Sequence, residues 1–264
     1  LLVLSVALSG CISENNKSSY SNNDSMYEIP DYFEDGIFTC LEHDNLTRCW
    51  QTHVPETLDS STPVPLIVDM HGFGSHSTEQ RHMSSFDTIS EEEGFIVVYP
   101  DGDSSVDKLT GNTNQAWNAG WCCSHSVNED IDDVGFIEKM IQVVIEKYNI
   151  DTNRIYASGW SNGCAMSQRL AMESSHIFAA VGCMAMYLLT EHTTTYSPIP
   201  VMEVHGFLDQ VVLYESTVLS VPWNEEMWKN PEAYDTGAIE NIFEWSELNN
   251  CTGGLETYEA NALY

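Results

Sequence analysis

From residue 36 onward, short apolar runs alternate with segments of helical periodicity. In residues 133–148 apolar side chains recur at steps of three and four, which predicts an amphipathic helix. Two more helices are predicted, at 162–173 and 237–248. The predicted strands are 37–40, 48–54, 65–70, 95–99, 154–158, 178–184 and 199–204. This alternation indicates an α/β fold, a mostly parallel sheet with helices on both faces and an antiparallel pair at its start.

The N-terminal segment has the composition of an export signal. Residues 1–8 are an apolar run too short to span a bilayer, and Ser9-Gly10-Cys11 follows it. The segment 1–11 resembles a signal peptide with a prokaryotic lipobox, so we expect Cys11 to be lipidated. An ordinary signal peptide is the alternative.

The remaining chain divides into a tether and one domain. Residues 12–35 are rich in Ser, Asn and acidic side chains and predict a flexible tether. Residues 36–264 predict a single catalytic domain. The expected location is extracytoplasmic, with membrane contact through the lipid anchor only.

The charge balance limits the partners that the protein can bind. The chain carries 40 acidic and 9 basic residues, a formal net charge of -31. Such a surface repels phosphate backbones, which argues against nucleic-acid binding. Both a halophilic source and an ordinary acidic secreted protein fit this composition.

The cysteines indicate an oxidising compartment. Cys40 and Cys49 flank a polar segment in which Asp44-Asn45 is suited to a hairpin turn, so we predict a disulfide between them. No second thiol pair or histidine lies at zinc-like spacing, so no metal site is expected. Several pairings stay open for the cysteines in the middle of the chain, which are Cys122, Cys123, Cys164 and Cys183.

A candidate nucleophile lies in the segment Gly159-Trp160-Ser161-Asn162-Gly163. This G-x-S-x-G pattern follows a predicted strand and precedes a predicted helix, the context in which it marks a nucleophile elbow. The flanking glycines avoid collisions with neighbouring backbone. Ser161 is therefore the predicted catalytic serine.

The loop His71-Gly72-Phe73-Gly74 follows an earlier buried strand. In such an architecture this loop and the residue after the nucleophile each supply one oxyanion-hole amide. We predict that the amides of Phe73 and Asn162 form the hole. His71 is expected to hold the loop through hydrogen bonds rather than to transfer a proton.

The predicted catalytic acid is Asp209, which follows the strand 199–204; Asp235 is a more distant candidate. The expected chain order is Ser, then Asp or Glu, then His. The nine histidines end at His205, so none follows Asp209. We therefore expect the catalytic base to lie beyond Tyr264, on a loop after a final strand. The 264-residue chain is then expected to be nearly inactive. A partner for Cys251 is expected there too.

Six ordered motifs resemble one family. They are Val68-Asp69-Met70-His71-Gly72, Tyr99-Pro100-Asp101-Gly102, Trp117-Asn118-Ala119-Gly120 with Cys122-Cys123, Asp132-Asp133-Val134-Gly135-Phe136, the elbow, and His205-Gly206-Phe207-Leu208-Asp209. Together, over roughly residues 36–251, they resemble the polyhydroxybutyrate depolymerase and feruloyl esterase family of α/β-hydrolases.

The resemblance implies ester hydrolysis through an acyl-enzyme, with Ser161 as nucleophile and no cofactor. It suggests Trp117 and Trp160 as substrate-binding residues, although Trp117 fits packing of its loop equally well. Cys164 departs from the family pattern, and pairing with Cys122 or Cys123 would explain it. The pair Asp132-Asp133 is interpreted as structural, at the start of a helix.

The functional hypothesis is a secreted serine esterase. Its expected partners are polysaccharides bearing feruloyl or acetyl esters, polyesters such as polyhydroxybutyrate, or their oligomers. The alternatives are a serine peptidase of the same fold and a catalytically dead, surface-tethered binding protein.

Overall fold

The computed structural model describes residues 38–106, 113–214 and 236–252. The strands are β1 Phe38–His43, β2 Leu46–His53, β3 Val64–Met70, β4 Ile96–Pro100, β5 Asp103–Val106, β6 Thr113–Ala116, β7 Ile150–Gly159, β8 Ala180–Met184 and β9 Val201–Val204. The helices are α1 Ser77–Ser84, α2 Phe86–Glu93, α3 Ser124–Asn128, α4 Asp133–Lys147, α5 Asn162–Glu173 and α6 Ala238–Leu248.

Seven strands form one sheet in the order β1-β2-β4-β3-β7-β8-β9. The pairs from β4 to β9 are parallel, and β1 and β2 join antiparallel at one side. Strands β5 and β6 form a separate antiparallel pair. The predicted α/β fold with a mostly parallel sheet is confirmed.

Strand β4 shows that both faces of the sheet are covered, because all five of its residues are buried. Ile96 and Val98 belong to the main core, which also contains residues of α4 and α5. Val97 and Tyr99 point to the opposite face and pack in a smaller cluster that Phe86 of α2 joins. Because successive strand residues face opposite sides, helices lie on both faces, as predicted.

The first hairpin turns at Asp44 and Asn45, which both have positive φ angles, 51° and 64°. A two-residue turn of this kind matches the twist of the paired strands. It places Cys40 opposite Cys49 in the register, and the two form a disulfide. The predicted hairpin and its disulfide are confirmed.

The other cysteine pairs differ from the suggestion made for Cys164. Cys164, at the start of α5, is bonded to Cys183 of β8, and Cys122 is bonded to its neighbour Cys123. The suggested bond from Cys164 to Cys122 or Cys123 is wrong because α5 packs on β8, which places the Cys183 thiol beside it. Cys251 is exposed and forms no disulfide within the described residues.

Several predictions fall outside the described residues: lipidation of Cys11, the tether 12–35 and the alternative acid Asp235. They stay predictions. Within the described ranges, no helix is long and apolar enough to cross a bilayer.

Candidate active site

Ser161 lies in a sharp turn between β7, which ends at Gly159, and α5, which begins at Asn162. Its backbone angles are φ 53° and ψ −121°, a conformation that costs a non-glycine residue about 1–3 kcal/mol. Strain of this kind at a strand-to-helix turn is characteristic of the nucleophile elbow of α/β-hydrolases. The turn presents Ser161 at the carboxyl edge of the parallel strands.

The glycines of the elbow are required by close backbone contacts. A Cβ atom on Gly159 would lie 2.6 Å from the carbonyl oxygen of Gly163, and one on Gly163 would lie 2.6 Å from the carbonyl oxygen of His71. Real Cβ atoms do not approach this closely. The first turn of α5 therefore sits directly against the end of β3, as the motif predicts.

The segment 71–74, here called the oxyanion loop, packs against this elbow. A Cβ atom on Gly72 would lie 3.0 Å from Cε3 of Trp160 and 3.4 Å from Cβ of Ser161. Within the described parts of the chain, the backbone amides of Phe73 and Asn162 donate to no acceptor. They lie on the two segments that meet at Ser161, where oxyanion donors are needed. Their role in an oxyanion hole stays a prediction.

His71 is fully buried and holds the oxyanion loop. The amide of Gly102 donates to Nε2 at 2.9 Å, so the proton is on Nδ1, which lies 2.7 Å from the carbonyl oxygen of Gly72. Burial lowers the pKa of His71 to about 3. A neutral imidazole with both nitrogens engaged supports the loop, in agreement with the expectation from sequence.

Trp117 connects the elbow to the oxyanion loop. Its main-chain N–H donates to Oδ1 of Asn162 at 2.8 Å, and Nδ2 of Asn162 donates to its carbonyl oxygen at 3.1 Å. Its indole N–H donates to the carbonyl oxygen of His71 at 2.9 Å. The indole has no exposed surface, so the structure favours the packing role over substrate contact. Trp160, in contrast, is 41% exposed beside Ser161.

A buried ion pair fixes the segment that begins at Trp117. Nη2 of Arg48 lies 2.6 Å from Oδ1 of Asp133, and the amide of Asn118 donates to the other oxygen at 2.7 Å. Burial raises the pKa of Asp133, and the charge of Arg48 opposes this shift. Asp132 caps α4 by accepting from the amide of Gly135. The acid pair is structural, as expected, but its link to Arg48 was not predicted.

Asp209 lies in the loop 205–212 that follows β9, here called the acid loop. Its Oδ1 accepts from the amides of Val211 and Val212 at 2.8 and 3.0 Å. Strands β7, β8 and β9 are parallel neighbours, so Ser161 and Asp209 follow strand ends at the same edge of the sheet. The two strands are about 10 Å apart, at about 4.8 Å per strand. The structure places both residues at one rim.

All nine histidines lie within the described residues. His205 is the one in the acid loop, yet both of its ring nitrogens are occupied: Nδ1 lies 2.5 Å from Oε1 of Glu203, and Nε2 lies 2.7 Å from the carbonyl oxygen of Val212. A ring held in this way does not accept a proton from Ser161. The signal that the sequence analysis missed is Glu203 near the end of β9, two residues before His205.

Comparison with known families agrees with this geometry. A family model described as "Esterase PHB depolymerase" matches residues 42–225. The chain belongs to this family. The resemblance drawn from the six motifs is confirmed, and the elbow and the oxyanion loop both lie within the matched residues.

The relatives that the chain matches include two proteins of known name. "Feruloyl esterase B" of Piromyces equi is 28% identical over 204 residues, which cover 75% of this chain and 35% of that protein. "Bifunctional acetylxylan esterase/xylanase XynS20E" of Neocallimastix patriciarum is 26% identical over 151 residues, covering 57% and 20% respectively. The chain thus spans about a third of the length of the first relative and about a fifth of the second.

Among solved structures, an acetyl xylan esterase from Aspergillus awamori matches with a TM-score of 0.44 and 20% identity. The match covers 61% of this chain and 57% of that one.

Proposed function

We propose that the chain carries the catalytic domain of a secreted serine carboxylic-ester hydrolase. The proposed substrates are feruloyl or acetyl esters on polysaccharides, or polyesters such as polyhydroxybutyrate. The observation that carries this proposal is the strained elbow at Ser161, together with two backbone amides on the segments that meet there, which donate to no acceptor among the described residues. The family and its feruloyl and acetylxylan esterase relatives support the ester class.

The proposed reaction has two steps. The Ser161 hydroxyl attacks the ester carbonyl, and the oxyanion that forms is stabilised by the amides of Phe73 and Asn162. The alcohol leaves, and water then releases the acid from the acyl-enzyme. Each oxyanion donor contributes about 3 kcal/mol to lowering the barrier.

Asp209 is the proposed acid that orients the base. Oδ1 is held by two backbone amides, while Oδ2 accepts no hydrogen bond from the described residues and lies 4.0 Å from Nε2 of His205, so it can accept one from the imidazole N–H of a base. All nine histidines of the printed sequence precede Asp209. Because the base is expected to follow the acid in chain order, none of these nine histidines is proposed as the base.

Exposed apolar side chains on the segments around the serine support an apolar or aromatic acyl group. Phe73 is 47% exposed, Trp160 41% and Met184 48%. Met184 ends β8, and its carbonyl accepts from the amide of Ser161. The exposed apolar residues of the acid loop are Phe207, Leu208 and Val211. Apolar surface is unfavourable in water unless a partner covers it, and a feruloyl or alkyl group would do so.

The disulfides support an extracytoplasmic location, since such bonds persist in oxidising compartments. Attachment to a membrane through a lipid on Cys11 stays part of the proposal.

Labelling with a fluorophosphonate tests the nucleophile directly in the full-length protein. We expect Ser161 to be labelled in wild type and labelling to disappear in Ser161→Ala, together with hydrolysis of methyl ferulate and p-nitrophenyl acetate. Ser61→Ala, in an exposed turn, is the matched control. Folded full-length protein that neither labels nor hydrolyses any ester would contradict the proposal.

Substitution of Trp160 tests the acyl-binding surface. Trp160→Ala is expected to raise KM for methyl ferulate about tenfold, a loss of about 1.4 kcal/mol in binding, and to change KM for p-nitrophenyl acetate less. Ile89→Ala removes a similarly exposed side chain on α2 and serves as the control. Equal effects on both esters would argue against an acyl-binding role.

A further inference from the structure

The side chain of His205 connects the two ends of the acid loop. Its Nδ1 lies 2.5 Å from Oε1 of Glu203, and its Nε2 lies 2.7 Å from the carbonyl oxygen of Val212. The side chains of His205 and Glu203 are 2% and 1% exposed, so water does not compete for these contacts. His205 thus joins the end of β9 to the far end of the loop.

The partners of the ring determine its protonation state. A carbonyl oxygen only accepts hydrogen bonds, and so does an ionised carboxylate, so both ring nitrogens must donate. Nδ2 of Asn241 donates to the second oxygen of Glu203 at 2.9 Å, so this oxygen also acts as an acceptor. Oδ2 of Asp209 lies 4.0 Å from Nε2 and adds a second negative charge.

We infer that His205 is an imidazolium whose two N–H groups position the acid loop, and with it the Asp209 carboxylate. The catalytic part of this inference rests on the proposed function; the charge state does not. By tying Val212 to β9, His205 holds the amide that, with that of Val211, fixes Oδ1 of Asp209. His205 is therefore a positioning residue, and it is unable to act as the base.

The remaining groups around the ring agree with a positive charge. Tyr187 stacks on it at 5.6 Å between ring centroids, and Tyr214 contacts it edge-on at 6.1 Å. Burial, together with the charges of Glu203, Asp209 and Glu240, raises the pKa of Tyr187, so its hydroxyl stays neutral. Aromatic faces attract cations.

The direction of the His205 pKa is consistent with this environment. Burial alone would lower it, but the hydrogen bonds to Glu203 and Val212 and the charges of Glu203 and Asp209 more than offset burial, so the pKa lies above 6.5. The charge is present below 6.5, and its contribution to stability is lost as the pH rises through the folded-state pKa.

The charge state is tested by ¹⁵N NMR of the histidine rings during a pH titration of the full-length protein. We expect both His205 nitrogens to be protonated at pH 6.5, with a midpoint above that of free histidine. Glu203→Gln should lower this midpoint while keeping the oxygen that Asn241 contacts. A neutral ring at pH 6.5, or a midpoint unchanged by Glu203→Gln, overturns the inference.

Positioning is tested with His205→Asn, which cannot span from Glu203 to Val212. We expect faster hydrogen exchange at the amides of Val211 and Val212, and a loss in kcat on the order of 100-fold with KM little changed. His192→Asn, on an exposed ion pair, is the control.

Exchange rates equal to wild type overturn the positioning role. If His205→Asn does not fold, the pH dependence of kcat is compared between wild type and Glu203→Gln. We expect kcat of Glu203→Gln to decline on the alkaline side at a lower pH than kcat of wild type. An unchanged alkaline decline overturns the positioning role of His205. If the wild type hydrolyses no ester, the proposed function fails, while NMR and exchange still decide the inference.

Discussion

The side-chain amide of Asn162 forms two hydrogen bonds with the main chain of Trp117, accepting from its N–H at 2.8 Å and donating to its carbonyl oxygen at 3.1 Å. Asn162 is the residue after the proposed nucleophile, and its own backbone amide is a proposed oxyanion donor. Asn162 thus combines a proposed catalytic role of its backbone amide with a structural role of its side chain, which fixes the neighbouring loop.

Asn162→Ala should therefore lower both stability and turnover. The N–H of Trp117 would be left buried without a partner, at a cost of about 1–3 kcal/mol, while its carbonyl oxygen would keep the bond from the Cys123 N–H at 3.3 Å. Urea unfolding measures the first effect and kcat for methyl ferulate the second. Asn128→Ala, at the exposed end of α3, is the control. A variant with wild-type stability would show that the two bonds are unimportant.

Gly163→Ala should disrupt the elbow, because the added methyl group would lie 2.6 Å from the His71 carbonyl oxygen. Overpacking of this kind typically costs about 1–3 kcal/mol, and here the neighbouring atoms are backbone that cannot rotate away. We expect a lower melting temperature and loss of fluorophosphonate labelling at Ser161.

Gly182→Ala is the matched control for this change, since its Cβ would meet only the flexible end of Met202, at 3.2 Å. It should keep labelling and most of the stability. If both alanine variants label equally well, close packing is not what requires glycine at position 163.

The elements with apolar periodicity could be predicted from sequence, and those held by polar contacts could not. Helix α4 is predicted to within one residue because five of its apolar side chains are buried in the core. Helix α1 was missed because its buried residues are Ser77 and Gln80, which hydrogen-bond to other polar groups and leave no apolar stripe.

In the candidate site, too, some features could be predicted from the sequence and others could not. Local signals identified Ser161 and the loop at His71, since strand, turn and helix are adjacent in sequence. The partners of buried polar groups depend on the topology instead: Arg48 and Asp133 are 85 residues apart, and the sheet and α4 bring them together. The same holds for Cys164, whose neighbour is set by the packing of α5 on β8.

The Arg48–Asp133 ion pair should be important for stability because both side chains are buried. Asp133→Asn removes the carboxylate in direct contact with the buried guanidinium, and breaking such a pair typically costs about 3–5 kcal/mol. Urea unfolding at neutral pH measures this loss. The control is Asp151→Asn, which breaks an exposed pair with Arg154 and should leave the unfolding midpoint essentially unchanged. Equal midpoints for the two variants would mean that the buried pair adds no stability.

Titration of the Asp69 carboxyl should make the free energy of unfolding depend on pH, over a range set by the burial of this group. Its carboxyl is buried on β3 and accepts from Nε2 of Gln80 at 3.0 Å, and burial raises its pKa to about 6. In the unfolded chain the pKa is near 3.8, so between these values the folded state binds more protons. Stability therefore falls as the pH rises from about 4 to about 6.

Asp69→Asn removes this titration and keeps the oxygen that Gln80 contacts. Relative to wild type, the variant should gain about 2 kcal/mol of unfolding free energy between pH 4 and pH 7, at about 1.4 kcal/mol per pKa unit. Urea unfolding at both pH values measures the difference in unfolding free energy between the variant and wild type. The titrations of Asp101 and His71 cancel in this difference because both proteins contain these residues. Asp59→Asn, in an exposed turn, shows what loss of a solvated carboxylate does alone. Parallel pH profiles for wild type and Asp69→Asn would mean that Asp69 stays ionised in the folded state down to about pH 4, with the hydroxyls around it compensating for burial.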